Sequence, residues 1–215
     1  APIPPRLDTD LAAITVETYT ARRAYQIADQ VDQAELLIPG FQLSRVKADD
    51  PVYPTFGWRL NTAVRFADQN LSSTASFLQL TSGGKILFPL LGGRVLMRTD
   101  LGYTEVNDVT ELPASIRFFA GGDSSVRGFA YESLGPEDSN GEVIGGRHLA
   151  TGSLEYDHPL TEKWHLAGFT DAGASSSRNS ISRAMTVMAT PTSTSPRGAP
   201  WPRASSQTST QLGVR

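Results

Sequence analysis

The sequence lacks cysteine, which removes several kinds of structure and chemistry at once. Its 215 residues contain no cysteine, so a disulfide framework, a thiolate metal site and a cysteine nucleophile are excluded. It also lacks a strong excess of charge of either sign, because the formal net charge is only −3. Without a basic field, we expect no nucleic-acid partner.

Long apolar runs are missing as well. A membrane-spanning helix needs about 20 consecutive apolar residues, and the longest candidates, residues 36–41 and 86–91, are broken by Pro39 and Pro89. A helical membrane protein is therefore excluded. A membrane barrel is compatible with the mean hydropathy of −0.23, because its strands alternate between lipid and lumen. Residues 1–5 do not have the pattern of a signal peptide, so we expect the chain either to be mature or to begin within a longer protein.

What the sequence does contain is a series of segments with a period of two. In the clearest, residues 57–68, Trp58 and Val64 share one face while Arg59 and Arg65 share the other. This alternation predicts a strand and has no helical competitor. Similar strands are predicted at 11–28, 34–48, 75–91, 94–106, 146–160 and 164–174.

Two local features qualify these strands. Pro39 and Gly40 fall inside the second segment and predict a bulge or an edge-like kink. Three aromatic residues lie near strand ends, where they are interpreted as a belt at a membrane interface, with ordinary core aromatics as the alternative. These are Trp58, Tyr156 and Trp164.

The seven predicted strands favour a membrane barrel over a soluble sandwich. Each is about 10–14 residues long, whereas strands in soluble sheets are most often about 5–6. One face of each is apolar and the other carries arginine and carboxylates, as expected for lipid-facing and lumen-facing positions. The predicted fold class is all-β, an antiparallel transmembrane β-barrel fragment over residues 11–174. Residues 1–10 are expected to be an irregular start.

The amino-acid composition changes after Ala174. Residues 175–210 are rich in serine, threonine, proline and arginine and contain no acidic residue. We expect 175–215 to be a low-complexity tail. Two interpretations stay open, a disordered segment and an out-of-frame translation product.

A long loop, residues 107–146, separates the fifth and sixth strands. A short strand is predicted at 116–119, followed by a glycine-bearing turn that carries Arg127. The loop has more apolar surface than a solvated loop tolerates. We therefore expect it to fold back against another part of the protein and to deliver Arg127 to a partner, although a solvated arginine is the alternative. Its large apolar residues are Phe118, Phe119, Val126, Phe129, Tyr131 and Leu134.

Other chemistry finds little support. Glu155 and Asp171 have the alternative interpretation of a catalytic carboxylate pair, but nothing else in the sequence indicates a glycosidase. The three histidines, His148, His158 and His165, do not have the spacing of metal ligands. We expect no enzymatic activity, no metal and no cofactor.

The loop motif resembles the signature loop of the TamA family. Members of this family are outer-membrane subunits of the translocation and assembly module and are relatives of the BamA insertases, within the bacterial surface antigen superfamily. The resemblance covers residues 10–174. Its central residues are Arg117-Phe118-Phe119-Ala120-Gly121-Gly122-Asp123-Ser124-Ser125-Val126-Arg127-Gly128-Phe129. Further similarity lies in Asp50-Pro51-Val52-Tyr53-Pro54-Thr55-Phe56-Gly57-Trp58, Ser133-Leu134-Gly135-Pro136, Gly145-Gly146-Arg147, Thr151-Gly152-Ser153-Leu154-Glu155-Tyr156 and Phe169-Thr170-Asp171-Ala172-Gly173.

The resemblance implies a particular architecture. The family has a sixteen-stranded barrel preceded by periplasmic POTRA domains, so this chain is expected to be a fragment that supplies about seven strands. The sixth extracellular loop of the family inserts into the lumen, where its arginine meets acidic residues on the barrel wall. Carried over to this sequence, the arginine is Arg127 and the acidic residues are Glu155 and Asp171. The strand pattern agrees, since it places Glu155 on the polar face with Thr151 and Ser153.

The resemblance also implies a function. It predicts a protein of the bacterial outer membrane that helps to insert or translocate β-barrel and autotransporter-type proteins. The partners implied are outer-membrane lipid, nascent outer-membrane β-barrel substrates and a TamB-like protein anchored in the inner membrane. Two alternatives stay open, a two-partner-secretion transport pore of the same superfamily and a soluble β-sheet binding module.

Overall fold

The computed structural model describes residues 7–21, 34–50, 54–71, 73–161, 164–177 and 181–193. Within these residues, eight strands form one antiparallel sheet in which the strands follow each other in chain order. No helix of the described residues is long and apolar enough to cross a membrane. The strands are β1 Leu7–Ala21, β2 Ala34–Ala48, β3 Gly57–Ala67, β4 Phe77–Leu90, β5 Gly93–Glu105, β6 His148–Pro159, β7 Trp164–Ser176 and β8 Ile181–Ser193.

The prediction of an all-β antiparallel fold is confirmed, and the seven predicted strands correspond to β1 to β7. The described sheet is open, because β1 and β8 are its outer strands. The start of the chain differs from the expectation, since residues 7–10 already pair with β2 as part of β1. Part of the predicted first strand, residues 22–28, lies outside the described residues.

The eighth strand was not predicted. Ile181–Ser193 pairs along its whole length with β7, so the expectation of a tail without regular structure is wrong for this segment. Composition misled the prediction because it ignores the unpaired backbone groups that the edge of β7 offers to a following segment. Residues 194–215 lie outside the described residues.

The predicted bulge at Pro39 is also wrong. The register between β1 and β2 runs without a break through Val16 opposite Pro39 and Thr15 opposite Gly40. Pro39 does lie at an edge on its other side, because the pairing of β2 with β3 extends only as far as Gly40 opposite Arg65. Proline has no N–H to donate, which fits the end of the ladder beside it.

The two faces of the sheet differ sharply. We call the face covered by the β5–β6 connection the inner face and the opposite one the outer face. The outer face exposes large apolar side chains on neighbouring strands, a surface that is costly in water and suited to lipid. They include Leu60, Val64, Phe66, Leu78, Leu80, Met97, Leu101, Leu154 and Leu166.

A buried apolar cluster joins the start of the β5–β6 connection to the inner face. The connection begins with two 3₁₀ turns, Val109–Glu111 and Ala114–Ile116. The strand predicted at 116–119 is therefore wrong, and Phe118 makes only an isolated bridge to Gly146. The cluster consists of Leu36, Ile38, Ala67, Ala75, Phe77, Val106, Leu112 and Ile116.

Candidate functional site at the loop tip

The connection between β5 and β6, residues 106–147, folds back along the inner face as an ordered loop. Its two arms pair with each other near the base, where the Phe118 N–H donates to the Gly146 carbonyl at 2.9 Å. They pair again higher up, where the Ala120 N–H donates to the Leu134 carbonyl at 2.8 Å. These hydrogen bonds satisfy backbone groups that a loop turned away from water must pair internally.

The apolar residues of the loop explain why it lies against the sheet. Ala120, Val126 and Leu134 are buried in one cluster, and Phe129 and Leu149 pack against it. Leu149 belongs to β6, so the cluster ties the loop to the wall. Burial of a Val or Leu side chain contributes about 1.5–3 kcal/mol. Tyr131, also predicted to seek cover, is instead exposed.

The tip of the loop is a glycine turn. Gly121, Gly122 and Gly128 have φ angles of 104°, 94° and 88°, in the region that glycine adopts more readily than other residues. A side chain at Gly121 would place its Cβ 2.4 Å from the Ala130 carbonyl oxygen. The remaining polar signature residue, Asp123, is exposed at this tip.

Arg127 extends from the tip to the wall formed by β6 and β7. Its Nε and Nη2 donate to the two carboxylate oxygens of Asp171, at 2.7 and 2.9 Å. Its Nη1 donates to Glu155 Oε2 at 2.9 Å, and Nη2 also donates to Ser153 Oγ at 2.9 Å. The two-point contact with Asp171 uses the planar fork that distinguishes guanidinium from ammonium. The structure thus brings together Arg127, Glu155 and Asp171, the three residues named from the sequence.

The sheet register assembles this site. Ser153 of β6 lies opposite Asp171 of β7, and Glu155 lies opposite Phe169. All four residues point to the inner face because positions two apart on a strand share a face. The Phe169 ring lies beneath the guanidinium, with its centroid 3.5 Å from the Arg127 carbon Cζ. This stacking adds a cation–π attraction to the ion pairs.

The site is substantially shielded from water. The Asp171 side chain is fully buried, whereas those of Arg127 and Glu155 are 23% and 30% exposed. Burial lowers the pKa of Arg127, but its hydrogen bonds to Asp171 and Glu155 outweigh this effect and raise the pKa above its ordinary value. The guanidinium therefore keeps its charge, and the backbone N–H of the same residue also donates to Asp171, at 3.0 Å.

Sequence reasoning missed three contributors to the site. Ser153 was assigned to the polar face but not to Arg127, and Phe169 was not assigned at all; both would follow from the register of β6 against β7. Arg117 was placed in a strand, whereas its buried side chain donates to backbone carbonyls of the loop. Its position at the start of the signature motif was the only available signal.

Comparison with known proteins agrees with this architecture. The crystal structure of BamA from Haemophilus ducreyi, lacking POTRA domains 1–3, is similar to this chain with a TM-score of 0.60 and 19% sequence identity. The similarity covers 74% of this chain and 40% of that one, so the chain spans less than half the length of this relative. At this identity the likeness concerns the fold. A family model described as the Omp85 superfamily domain matches residues 7–215, and the chain therefore belongs to the Omp85 superfamily of bacterial outer-membrane β-barrel proteins.

Proposed function

We propose that this chain is part of a TamA-type assembly factor, which aids the insertion or translocation of β-barrel and autotransporter-type proteins and carries out no enzymatic reaction. Membership of the Omp85 superfamily supports a role in outer-membrane protein insertion or secretion. The resemblance of residues 117–129 to the TamA signature supports the narrower type. The observation that carries the proposal is the docked loop, whose Arg127 bonds two carboxylates on the wall.

The docked loop gives the inner wall a fixed internal element. Arg127 bonds Glu155 and Ser153 on β6 and Asp171 on β7, so a single side chain ties the loop to two adjacent strands. A wall braced in this way keeps its shape while neighbouring parts of a barrel rearrange around a nascent strand. The partners in this proposal are outer-membrane lipid at the outer face, a nascent β-barrel substrate and a TamB-like protein anchored in the inner membrane.

Replacement of Arg127 tests the proposal. In cells that make the encoded protein with Arg127→Ala, we expect the loop to detach, because Asp171 would stay buried without its cation, at a cost of about 3 kcal/mol. Protease added to outer-membrane vesicles should then cleave the loop, and surface display of an autotransporter-type reporter should fall. Arg127→Lys should give a smaller defect, since lysine keeps the charge but loses the two-point fork.

The matched control is Arg94→Ala. Arg94 donates to Asp157 at 2.9 Å on the same wall but is half exposed, so its loss should change neither readout measurably. Normal reporter display together with an unchanged protease pattern in Arg127→Ala would contradict both the anchor and the function. A detached loop with normal reporter display would support the role of Arg127 as the anchor of the loop but reject the proposed function.

A further inference from the structure

A row of three cations crosses the inner face beside the loop tip. Arg59 of β3 lies directly opposite Lys85 of β4, and Lys85 lies directly opposite Arg98 of β5. Like charges at directly opposed positions destabilise a sheet. We call these three residues the cationic row.

The cationic row has no ion-pair partner among the described residues. The carboxylates of β6 and β7 that form salt bridges have other partners. Glu155 and Asp171 pair with Arg127, and Asp157 pairs with Arg94. Within the part of the chain that the structure describes, the Arg98 side chain makes one long hydrogen bond, from Nη2 to the Ser125 carbonyl of the loop tip at 3.5 Å.

The outer face offers a direct contrast. There, the cations of β2 are matched by carboxylates of β1, with Arg45 3.0 Å from Asp10 and Lys47 3.5 Å from Asp8. The same sheet thus neutralises cations on the outer face and leaves the cationic row unmatched on the inner one. A row of cations without ion pairs gives the space before it a positive potential, which Asp100, one inner-face position beyond Arg98 on β5, partly offsets.

The space in front of two members of the row is a cavity with a mixed polar and apolar lining. A cavity of about 400 Å³ is bordered by Arg59 and Lys85. An apolar part of its lining comes from Leu87 and Leu96. These two residues lie opposite each other, one inner-face position closer to the β4–β5 turn than Lys85 and Arg98. The lining also includes three carboxylates, Asp50, Glu155 and Asp157, of which Glu155 already bonds Arg127 and Asp157 already bonds Arg94.

We propose that the cationic row binds a carboxylate-bearing stretch of polypeptide on the inner face. Neighbouring strands are about 4.8 Å apart, so the row spans about 10 Å, and alternate side chains of an extended segment are about 6.6 Å apart. Flexible lysine and arginine side chains match that spacing, while the leucines accept the apolar residues between the carboxylates. Lipid headgroups meet the outer face of a barrel strand rather than the inner one. The binding surface goes beyond the loop anchor and does not depend on assembly activity.

The test is direct binding of a labelled peptide to the full 215-residue chain, folded in detergent micelles. The probe is a fluorescein-labelled decapeptide of alternating glutamate and alanine, and its partner probe carries glutamine in place of glutamate. We expect fluorescence anisotropy to show binding of the glutamate peptide only, weakening as salt is added. The double variant Arg59→Gln/Lys85→Gln should weaken binding about tenfold.

The control is Arg45→Gln, which removes one arginine from the outer face and should bind the peptide like the unaltered chain, whereas Arg59→Gln alone should already weaken binding. An equal loss in Arg45→Gln and Arg59→Gln would mean attraction by net charge and would overturn the proposal. So would unchanged binding in the row variant, or equal competition by inorganic phosphate at matched charge concentration. The row variant should melt at or above the temperature of the unaltered chain, since it relieves repulsion. A lower melting temperature with lost binding would assign the row a structural role and reject the proposal.

Discussion

At the scale of single residues, arginine organises the loop in two different ways. Arg127 bonds carboxylates of the wall, whereas Arg117 holds the loop to itself. The Arg117 side chain is buried and donates from three different nitrogens to backbone carbonyls. These belong to Leu112 at 2.7 Å, Ile144 at 3.0 Å and Thr110 at 3.1 Å. A rigid fork of donors can satisfy several carbonyls of a loop that are not paired in a sheet.

Replacement of Arg117 by methionine should therefore loosen the whole base of the loop. Methionine keeps the length of the stem but leaves three shielded carbonyls without this donor, at a cost of about 3 kcal/mol. In a protease-protection titration, we expect the loop of the variant to be cleaved at a lower urea concentration than the loop of the unaltered chain. Arg94→Met, which alters a half-exposed arginine, should move that concentration by far less. Equal shifts in the two variants would show that Arg117 does not hold the loop.

At the scale of elements, the inner face accepts the loop because two of its strands carry glycine where loop side chains land. A Cβ at Gly173 of β7 would lie 2.5 Å from Val126 Cγ2, and a Cβ at Gly102 of β5 would lie 2.5 Å from the Phe118 ring. Val126 is fully buried as a result. These two glycines make the wall locally concave, which lets the loop approach closely enough for Arg127 to reach Asp171.

A side chain at one of these glycine positions should displace the loop from the inner face without altering any charged residue. Gly173→Ala forces a clash with Val126, and overpacking of this kind costs about 1–3 kcal/mol. We expect faster protease cleavage of the loop tip. Gly152→Ala on the neighbouring strand is the matched control, because a Cβ there meets nothing within 4 Å. Identical cleavage rates for the two variants would show that contact with Gly173 does not position the loop.

At the scale of the whole molecule, the apolar outer face of the sheet carries aromatic residues near one end of its strands. Trp58 is the second residue of β3 and Trp164 is the first residue of β7, and both lie at the end of the sheet that carries the short β4–β5 turn. Trp164 is exposed, and Arg45 lies over the Trp58 ring at 5.7 Å. Aromatic residues at this level are typical of the girdles of membrane barrels.

Tryptophan fluorescence should report the depth of Trp58 and Trp164 in the membrane. The third tryptophan, Trp201, lies outside the described residues, so the measurement uses a Trp201→Phe background. In vesicles of brominated lipid, we expect bromines near the headgroup to quench Trp58 and Trp164 more strongly than bromines at the chain ends. Stronger quenching by the deep bromines would place both rings in the membrane interior and reject the girdle.

Prediction from sequence succeeded where a local pattern determines structure. The period of two around Trp58 and Arg59 reports the two faces directly, and the same rule put Glu155 on the inner face. Prediction from sequence failed where the structure depends on a partner that is distant along the chain. The pairing of Ser153 with Asp171 depends on the register of β6 against β7, which no single strand encodes. Strand β8 depends on the edge that β7 offers, and Arg117 depends on carbonyls contributed by the whole loop.

The docked arginine also has a consequence for how the loop finds its place. Inner-face charge at one level of the sheet is positive on β3 to β5, at Arg59, Lys85 and Arg98, and negative on β7, at Asp171. A loop that settled two strands away would bring its own cation against three like charges, whereas the observed position meets opposite ones. The charge pattern of the inner face therefore opposes that misplaced position and favours the observed one, and it acts over longer distances than the close contacts of the tip.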